Sequence, residues 1–490
     1  MYRTVAQLDS LTSLLAAWFP QYFTRIQLPE ASVEGRPIYA LRMRAGEGEA
    51  RRGVLLVGGA HARELMNPDA IVELAVDLLV SHANGTDIVY GGRTWPANDV
   101  RIIIETLDLW LLPCLNPDGR EYVMTVDDLW RKNRRDNPNT ACDGVDLNRN
   151  LDLLWGVTEG QTSCSPCSDV FCGPSAFSEP ETRNVKYLLD SHRIDCFADV
   201  HSFSELILYP WGHAPTQTVD PTQRFTVLPS GTCASIADQG YEEYMTPQDL
   251  LRFEMVGQRI VDAISAVRGR VYTSQTGTGL YPTTGTHSDY VYGRHIADPS
   301  LHKTYGYTFE TGPSVGDARE SFHPADPTLI KRDAKSGMIA LAQQCICAID
   351  LIGTRLLERD TEASALRGVR DDLLGTSEAG REWIALFERA QGRLVGIALS
   401  DKRLAADAAA LLESTSKLVE DESSRVTDED AERGLSLMRE LADRSEHDEV
   451  KADLEAVSAQ IAQMAGLTSR EAIETLMTRG PGEGDRPRQA

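Results

Sequence analysis

Short apolar runs alternate with segments of helical period up to about residue 352, and this alternation constrains the fold more than any other feature of the chain. Strands are predicted at residues 37–42, 53–57, 100–106, 107–115, 194–200, 207–209 and 305–309, and helices at 8–18, 68–79, 179–191, 247–266 and 326–352. Such alternation is typical of an α/β fold. We therefore expect a mixed, largely parallel central sheet with helices on both faces.

The composition changes beyond residue 352. The rest of the chain is rich in Ala, Leu, Glu, Asp and Arg and contains no Cys. Thr427 with Asp430, and Thr468 with Glu471, have the spacing of helix capping boxes. The last residues are rich in Gly, Pro and charge, which is typical of disorder. We predict a first domain of residues 1–352, an acidic all-helical region of residues 353–479 and a disordered tail of residues 480–490.

The charge of the chain excludes some partners. With 49 basic and 73 acidic residues the formal net charge is −24, so we expect no binding to nucleic acid and none to a membrane surface. No apolar run reaches the length of a membrane span. The segment after Met1 has no apolar core followed by a small-residue cleavage site, so we predict no signal peptide and a cytoplasmic location.

Four residues with reactive side chains follow predicted strands. His61 and Glu64 lie just beyond the strand at 53–57, and His201 and Glu310 follow two later strands. The carboxyl ends of parallel strands are where open α/β sheets place their sites. A catalytic zinc needs three protein ligands, and His201 is the best candidate to join His61 and Glu64. The alternative for His201 is a structural role at the strand end, in which its ring is hydrogen-bonded to the backbone and binds no metal.

Other side chains suit acid–base chemistry and carboxylate binding. Burial of Glu310 against aromatic neighbours would raise its pKa toward the working range of a general base. Arg131, Asn148 and Arg149 lie on a long polar segment at 129–150, where an arginine beside an amide can bind a carboxylate through two hydrogen bonds. Taken singly, each arginine is better explained as an ordinary surface charge.

Six short motifs occur in one order along the chain and together carry a resemblance. They are residues 61–64 (His-Ala-Arg-Glu), 116–119 (Asn-Pro-Asp-Gly), 130–132 (Trp-Arg-Lys), 144–150 (Gly-Val-Asp-Leu-Asn-Arg-Asn), 199–203 (Asp-Val-His-Ser-Phe) and 308–310 (Thr-Phe-Glu). With these motifs, residues 5–350 resemble the zinc metallocarboxypeptidase family of carboxypeptidases A, B and T. The resemblance implies a carboxypeptidase-like fold with one zinc ion per chain.

The resemblance also implies a role for each matched residue. His61, Glu64 and His201 would be the zinc ligands, with Glu310 as general base and Arg131 as the electrophile that stabilises the oxyanion. Asp146 would orient His61. The terminal carboxylate of the substrate would be bound by Asn148, Arg149 and Tyr281. Arg63 would line the path of the peptide.

The same resemblance makes Ser288 the base of the S1′ pocket, the pocket for the C-terminal side chain of the substrate. The matching wall positions are uncharged: Leu208, Gly212, Leu280 and Thr308. Burying an apolar side chain gains roughly 1.5–3 kcal/mol, whereas an unpaired buried cation is costly. We therefore expect a preference for neutral, mostly apolar or aromatic C-terminal residues. A shift of one residue would place Asp289 in the pocket and reverse this preference, and His287 could also reach in.

Nine cysteines raise the question of the redox compartment. Cys114, Cys196, Cys233, Cys345 and Cys347 are scattered, and we expect buried thiols there. The resemblance implies a disulfide between Cys142 and Cys167, and Cys164 with Cys172 could form a second one. A zinc knuckle built from these four cysteines, or four free thiols, remain alternatives. Disulfides would favour a secreted protein over a cytoplasmic one.

The leading hypothesis is a zinc carboxypeptidase that acts on the C-termini of peptides or proteins. One alternative is a zinc amidase or deacylase for small acylated amino acids, which the presence of Asn148, Arg149 and Tyr281 disfavours. The other is a non-catalytic peptide-binding module. For the C-terminal helices we expect self-association or docking of a partner.

Overall fold

A computed structural model describes residues 2–46, 51–157, 160–225, 233–234, 241–347, 366, 368–445 and 448–481. The chain divides into two compact units. The first consists of Met1–Glu47, Arg51–Thr246 and Phe253–Cys345, and the second of Gly48–Ala50, Pro247–Arg252 and Ile346–Ala490. Within the described residues, no helix combines the length and apolar composition that crossing a bilayer requires.

An eight-stranded sheet forms the centre of the first unit. The strands of the chain are β1 Phe23–Gln27, β2 Tyr39–Met43, β3 Arg52–Gly58, β4 Ile88–Tyr90, β5 Arg93–Trp95, β6 Leu107–Leu112, β7 Cys196–His201, β8 Leu206–Tyr209, β9 Thr216–Thr218, β10 Glu242–Tyr244, β11 Thr273–Thr276 and β12 Tyr305–Glu310. The order in the large sheet is β1-β2-β6-β3-β7-β12-β8-β11. The inner pairs β6–β3, β3–β7 and β7–β12 are parallel, whereas β1–β2, β2–β6 and β12–β8 are antiparallel. The predicted mixed, largely parallel sheet is confirmed.

Helices cover the sheet on two faces. Those of the first unit are α1 Val5–Trp18, α2 Met66–Asn84, α3 Ala97–Thr106, α4 Pro117–Thr125, α5 Pro180–Ser191, α6 Pro247–Arg268, α7 His287–Ala297, α8 Ala318–Phe322 and α9 Thr328–Cys345, where α6 begins in the second unit. A Cβ on Gly306 of β12 would meet Val291 of α7, whereas Phe309 of the same strand faces Gly337 of α9. Side chains three residues apart on a strand point to opposite faces. Helices α7 and α9 therefore pack on opposite faces of the sheet.

The strand predicted at residues 100–106 is wrong, because these residues belong to helix α3. Val100, Ile103 and Ile104 are buried, while Arg101 donates a 2.9 Å hydrogen bond to Glu105 one helical turn further on. A short apolar run does not by itself distinguish a strand from a buried helix face. The helix predicted at 326–352 is observed up to Cys345, and residues 348–352 lie outside the described residues.

The second unit is helical in its described part. Its helices are α10 Glu378–Ser400, α11 Lys402–Glu420, α12 Asp428–Arg444, α13 Asp448–Met464 and α14 Ser469–Thr478. Both predicted capping boxes are present, at Thr427 with Asp430 and at Thr468 with Glu471. A buried apolar cluster that includes residues of α11, α12 and α13 forms the core. Residues 353–365 and the tail from residue 482 onward lie outside the described residues.

Three adjacent parallel strands bring the candidate site together. Strand β3 ends at Gly58, three residues before His61, and β7 and β12 end at His201 and Glu310, which are partners in register. The chain leaves β3 through Gly59, whose φ of +67° is a conformation that side chains rarely adopt. A Cβ on Gly58 would lie 3.1 Å from the carbonyl oxygen of Pro113. The two glycines therefore allow the tight turn that directs His61 and Glu64 over the end of the sheet.

Three disulfides connect the first unit. The predicted Cys142–Cys167 pair is present, and the others join Cys164 to Cys233 and Cys196 to Cys345. Cys114, Cys172 and Cys347 are free thiols.

Two cysteine predictions are therefore wrong. Cys164 does not bond Cys172, and Cys196, Cys233 and Cys345 are not thiols. The zinc-knuckle alternative is excluded too, because three of its four cysteines are in disulfides. Pairing depends on which Cα atoms the fold brings within about 4.4–6.8 Å, and the Cα atoms of Cys196 and Cys345 lie 6.1 Å apart because α9 packs on β7. Spacing along the chain carries no such information.

These disulfides predict a thiol count. Unfolded in denaturant without reductant, the protein should expose three reactive thiols, and after reduction all nine cysteines should react. Titration with a chromogenic thiol reagent measures both numbers. Nine reactive thiols in denatured protein that was isolated without reductant would contradict the disulfide assignment.

Candidate metal centre and active site

Three potential metal ligands meet beyond the ends of β3 and β7. The Nδ1 atom of His61 lies 2.7 Å from Glu64 Oε1, and His201 Nδ1 lies 3.0 Å from Glu64 Oε2. The two Nδ1 atoms are themselves 3.0 Å apart. All three side chains are buried, and within the described part of the chain they form the one group of three or more such residues with ligand atoms all within 4.8 Å. These are the three residues that the sequence analysis named as candidate zinc ligands.

The donor atoms fit a divalent cation. His61 Nε2 faces Asp146 Oδ1 at 3.0 Å, so the proton of a neutral His61 ring belongs on Nε2. His61 Nδ1 then carries a lone pair that points toward both a carboxylate oxygen and the ring of His201. A bound cation would remove the repulsion between these electron-rich atoms. Two imidazole nitrogens and one carboxylate are a ligand set of catalytic zinc, with a further position for water or substrate.

The charge states of the ligands suit metal binding. Burial lowers the pKa of His61, which keeps its ring neutral. Burial alone would raise the pKa of Glu64, but His61 and His201 lower it to about 2. Burial lowers the pKa of His201, whereas Asp199 and Glu64 raise it well above its usual value. The cluster therefore offers a cation the ionised carboxylate of Glu64. Binding of the cation would displace a proton from the His201 ring.

Asp146 connects the metal ligands to Arg131. Its Oδ1 faces His61, and its Oδ2 accepts hydrogen bonds from Arg131 Nε at 2.9 Å and pairs with Arg131 Nη2 at 2.8 Å. Burial raises the pKa of Asp146, but Arg131 and His61 hold it well below its usual value. The buried carboxylate is thus ionised and fixes the orientation of both neighbours.

Asn116 fixes the two loops that carry these residues. Its Nδ2 donates to the carbonyl oxygens of Ala60 at 3.2 Å and Lys132 at 3.1 Å, and the backbone N–H of Ala62 donates to Arg131 O at 2.9 Å. The sequence analysis used residues 116–119 as a motif but assigned no role to the Asn116 amide. A fully buried amide can link two loops in this way because it offers two donors and an acceptor.

Glu310 is the last residue of β12 and is partly exposed, beside the buried ligands. Burial among its neighbours raises the pKa of Glu310 to about 8, although the positive charges of His201 and Arg131 lower it. A carboxyl with a raised pKa has the basicity that proton transfer near neutral pH requires.

The residues predicted to bind a carboxylate lie on two loops. Arg149 is buried in the short 3₁₀ helix Leu147–Arg149, and its Nε and Nη1 donate 2.6 Å hydrogen bonds to the carbonyl oxygens of Gln161 and Asn148. Asn148 Nδ2 lies 3.3 Å from His201 Nε2, so this amide directly adjoins the metal cluster. Tyr281 is half-buried and interacts electrostatically with Arg131.

Arg63 extends from the metal-binding loop. Its guanidinium lies 4.5 Å from the centre of the Phe322 ring, and its Nη1 donates to Leu129 O at 3.4 Å. The side chain is partly exposed. It is therefore held at the surface beside the cluster rather than within it.

The start of α7 carries Ser288 and Asp289, the two residues predicted as alternatives for the base of the S1′ pocket. Both carboxylate oxygens of Asp289 lie 3.0 Å from the backbone nitrogen of Gly212, and His213 Nδ1 is 3.7 Å away. Asp289 is thereby engaged in fixing the Gly212 loop. Ser288 packs against Gly306 of β12 and keeps a small exposed fraction.

His287 is fully buried. Its backbone N–H donates to Asn148 Oδ1 at 2.8 Å, and its ring Nδ1 lies 2.9 Å from Asp199 Oδ2. Asp199 in turn lies 2.6 Å from His201 Nε2. The sequence analysis assigned no role to Asp199, although its position two residues before a candidate ligand, on the same face of a strand, was a usable signal.

A buried His-Glu-His cluster beside a carboxyl and a guanidinium at the end of an α/β sheet is typical of a mononuclear zinc hydrolase. Comparison with known proteins agrees with this class. Residues 8–335 match the family model described as zinc carboxypeptidase. The chain therefore belongs to the zinc carboxypeptidase family, whose metal is zinc.

Individual relatives are similar over part of their length. Carboxypeptidase B of Helicoverpa zea is 36% identical over 219 residues, which cover 43% of this chain and 47% of that protein. A protein of Talaromyces marneffei named inactive metallocarboxypeptidase ecm14 is 31% identical over 309 residues, covering 60% of this chain and 46% of that one. The chain thus spans about half the length of these curated relatives.

A solved structure agrees with the fold. The crystal structure of carboxypeptidase A from Helicoverpa armigera superposes with a TM-score of 0.51 at 26% identity, covering 70% of this chain and 74% of that one.

The cluster predicts stoichiometric zinc. The purified protein should hold one zinc ion per chain, and His61→Ala should lose it because only two ligands remain. Elemental analysis after gel filtration measures the ratio. His295→Ala is a matched control and should retain zinc, since His295 lies near the end of α7 and its Nδ1 contacts the Leu301 carbonyl oxygen at 2.7 Å. Wild-type protein without zinc after incubation with the metal would contradict the assignment.

Proposed function

We propose that this protein is a zinc-dependent carboxypeptidase that hydrolyses the C-terminal peptide bond of peptides or proteins. The observation that carries the proposal is the shared Asp146 carboxylate, which fixes the metal ligand His61 and the guanidinium of Arg131 side by side. Family membership supports the reaction class.

Each residue of the centre has a chemical task. When bound by His61, Glu64 and His201, zinc polarises the scissile carbonyl and makes a water molecule more acidic. Glu310 takes a proton from the attacking water and passes it to the leaving amine, which its raised pKa supports. Arg131 stabilises the developing oxyanion, and Asp146 holds its guanidinium so that little reorganisation is needed.

Recognition of a free C-terminus makes the enzyme an exopeptidase. Arg149, Asn148 and Tyr281 bind the terminal carboxylate of the substrate, and Arg63 lines the path of the preceding residues. Two nitrogens of Arg149 are already bonded to backbone carbonyls, which supports a fixed guanidinium in a buried position. A buried cation gains most from a ligand that carries the opposite charge.

The S1′ pocket selects neutral side chains, mostly apolar or aromatic ones. Ser288 lies at its base, and Asp289 is engaged by the backbone of Gly212 beside His213. Thr308 of β12 and Leu208 of β8 are partners in register, which supports one continuous uncharged wall. Without a free carboxylate, this pocket would leave a substrate lysine or arginine unpaired.

A non-catalytic peptide-binding module is the second candidate, since one relative is named inactive. The presence of Glu310 and Arg131 beside the metal ligands favours catalysis. A zinc amidase or deacylase for small acylated amino acids would not need Asn148, Arg149 and Tyr281.

We further propose that the chemistry belongs to residues 1–352. The acidic helices of residues 353–479 would self-associate or dock a partner, and the tail of residues 480–490 would take no part. The three disulfides support an oxidising, secreted setting and leave the cytoplasmic expectation without support.

The base is tested by Glu310→Gln, which keeps the size of the side chain and removes its basicity. We expect kcat on an N-blocked dipeptide to fall by about 10²–10⁴-fold while zinc content is unchanged. Glu320→Gln, on the exposed surface of α8, is the control and should retain full activity. If Glu310→Gln keeps most of the wild-type kcat, Glu310 is not the base.

Specificity is tested with peptides that end in Phe, Leu or Lys. We expect kcat/KM for Phe or Leu to exceed that for Lys by roughly tenfold or more, because a neutral pocket loses several kcal/mol with an unpaired cation. Ser288→Asp should shift the preference toward Lys. A wild-type preference for Lys would show that Asp289 faces the substrate.

A further inference from the structure

The far side of the metal ligand His201 contacts a buried carboxylate that the proposed mechanism does not use. His201 Nε2 lies 2.6 Å from Asp199 Oδ2, and both side chains are almost completely buried. The two residues are two positions apart on β7, so their side chains lie on the same face of the sheet. Asp199 is therefore placed to fix the ring of His201 from behind, with Nδ1 left for the metal.

A second histidine contacts the same carboxylate. His287, the first residue of α7, is fully buried, and its Nδ1 lies 2.9 Å from Asp199 Oδ2. Its ring stacks near Phe197, which shares that face of β7 with Asp199 and His201. Asp199 thus lies between two imidazoles, one of which belongs to a metal ligand.

His287 also fixes the amide proposed to bind substrate. Its backbone N–H donates to Asn148 Oδ1 at 2.8 Å, and its Nδ1 lies 3.1 Å from the same oxygen. The other ring nitrogen, Nε2, has no hydrogen-bond partner among the described residues. Among the described residues, the ring and the backbone N–H of His287 therefore make their polar contacts with Asp199 and Asn148.

We propose that Asp199 and His287 are positioning residues that hold the metal ligand His201 and the substrate-binding Asn148 in one fixed arrangement. The proposal rests on the proposed function only for the role of Asn148; the part that concerns His201 depends on metal binding alone. Partners behind a metal-bound histidine fix its ring orientation, and losing one typically costs about 10–100-fold in metal affinity or activity.

The zinc release rate tests the first half. Wild-type protein and the variants Asp199→Asn and His287→Ala are loaded with zinc, mixed with excess chelator and followed with a zinc indicator. We expect release to be roughly tenfold faster or more in both variants, because His201 is less well held. The double variant should differ little from the faster single variant, because both changes remove the same contact.

Two further variants separate positioning from general destabilisation. Asp195→Asn alters another buried carboxylate beside β7, which pairs with Arg52 and Arg193 and does not touch the centre; its zinc release should match the wild type. His287→Asn keeps a donor near the position of Nδ1 and should restore slow release. Release within twofold of the wild type in Asp199→Asn and His287→Ala, or equal acceleration in Asp195→Asn, would overturn the proposal.

The KM for a peptide with a free terminal carboxylate tests the second half. Under saturating zinc, His287→Ala should raise KM more than it lowers kcat, since Asn148 loses the ring contact at 3.1 Å and keeps only the backbone hydrogen bond. An unchanged KM would overturn this half. If the wild-type protein binds zinc but turns over no peptide, the proposed function fails, and the zinc release rates still decide the role of Asp199.

Discussion

The buried Asp146 carboxylate is the interaction on which the arrangement of the centre depends. One of its oxygens faces His61 and the other holds Arg131, so the metal ligand and the cation proposed to stabilise the oxyanion share one anchor. A buried carboxylate is stable only when it is paired and hydrogen-bonded. Loss of Asp146 would therefore disturb two functional side chains at once, and each neighbour helps to keep it ionised.

The fold supplies this anchor through ordinary packing. Parallel strands β3, β7 and β12 bring His61, His201 and Glu310 to one edge of the sheet. Two buried asparagines then hold the polar segment at 129–150: Asn116 bridges it to the metal-binding loop, and Asn133 donates to Glu179 at the start of α5. A long polar segment can be rigid when its backbone and amides are satisfied in this way.

The sequence predicted the three metal-ligand candidates that the structure brings together, because they follow strand ends and lie within recognisable motifs. It could not predict that the run at 100–106 is helical, because a short apolar segment is compatible with both a buried strand and a buried helix face. Nor could it pair Cys196 with Cys345, 149 residues apart, since only tertiary packing brings them together. His287 was noted only as a residue that could reach the pocket, and its contacts with Asp199 and Asn148 required the register of α7 against β7.

The central claim is that one rigid centre combines a zinc site with a binding site for the free terminal carboxylate of the substrate. The most direct measurement compares kcat/KM for an N-blocked dipeptide with a free C-terminal carboxylate and for the same dipeptide with a C-terminal amide. The account predicts a preference for the free carboxylate of about 10²-fold or more, because the amide leaves the buried Arg149 cation unpaired. Equal turnover of the two substrates would contradict it.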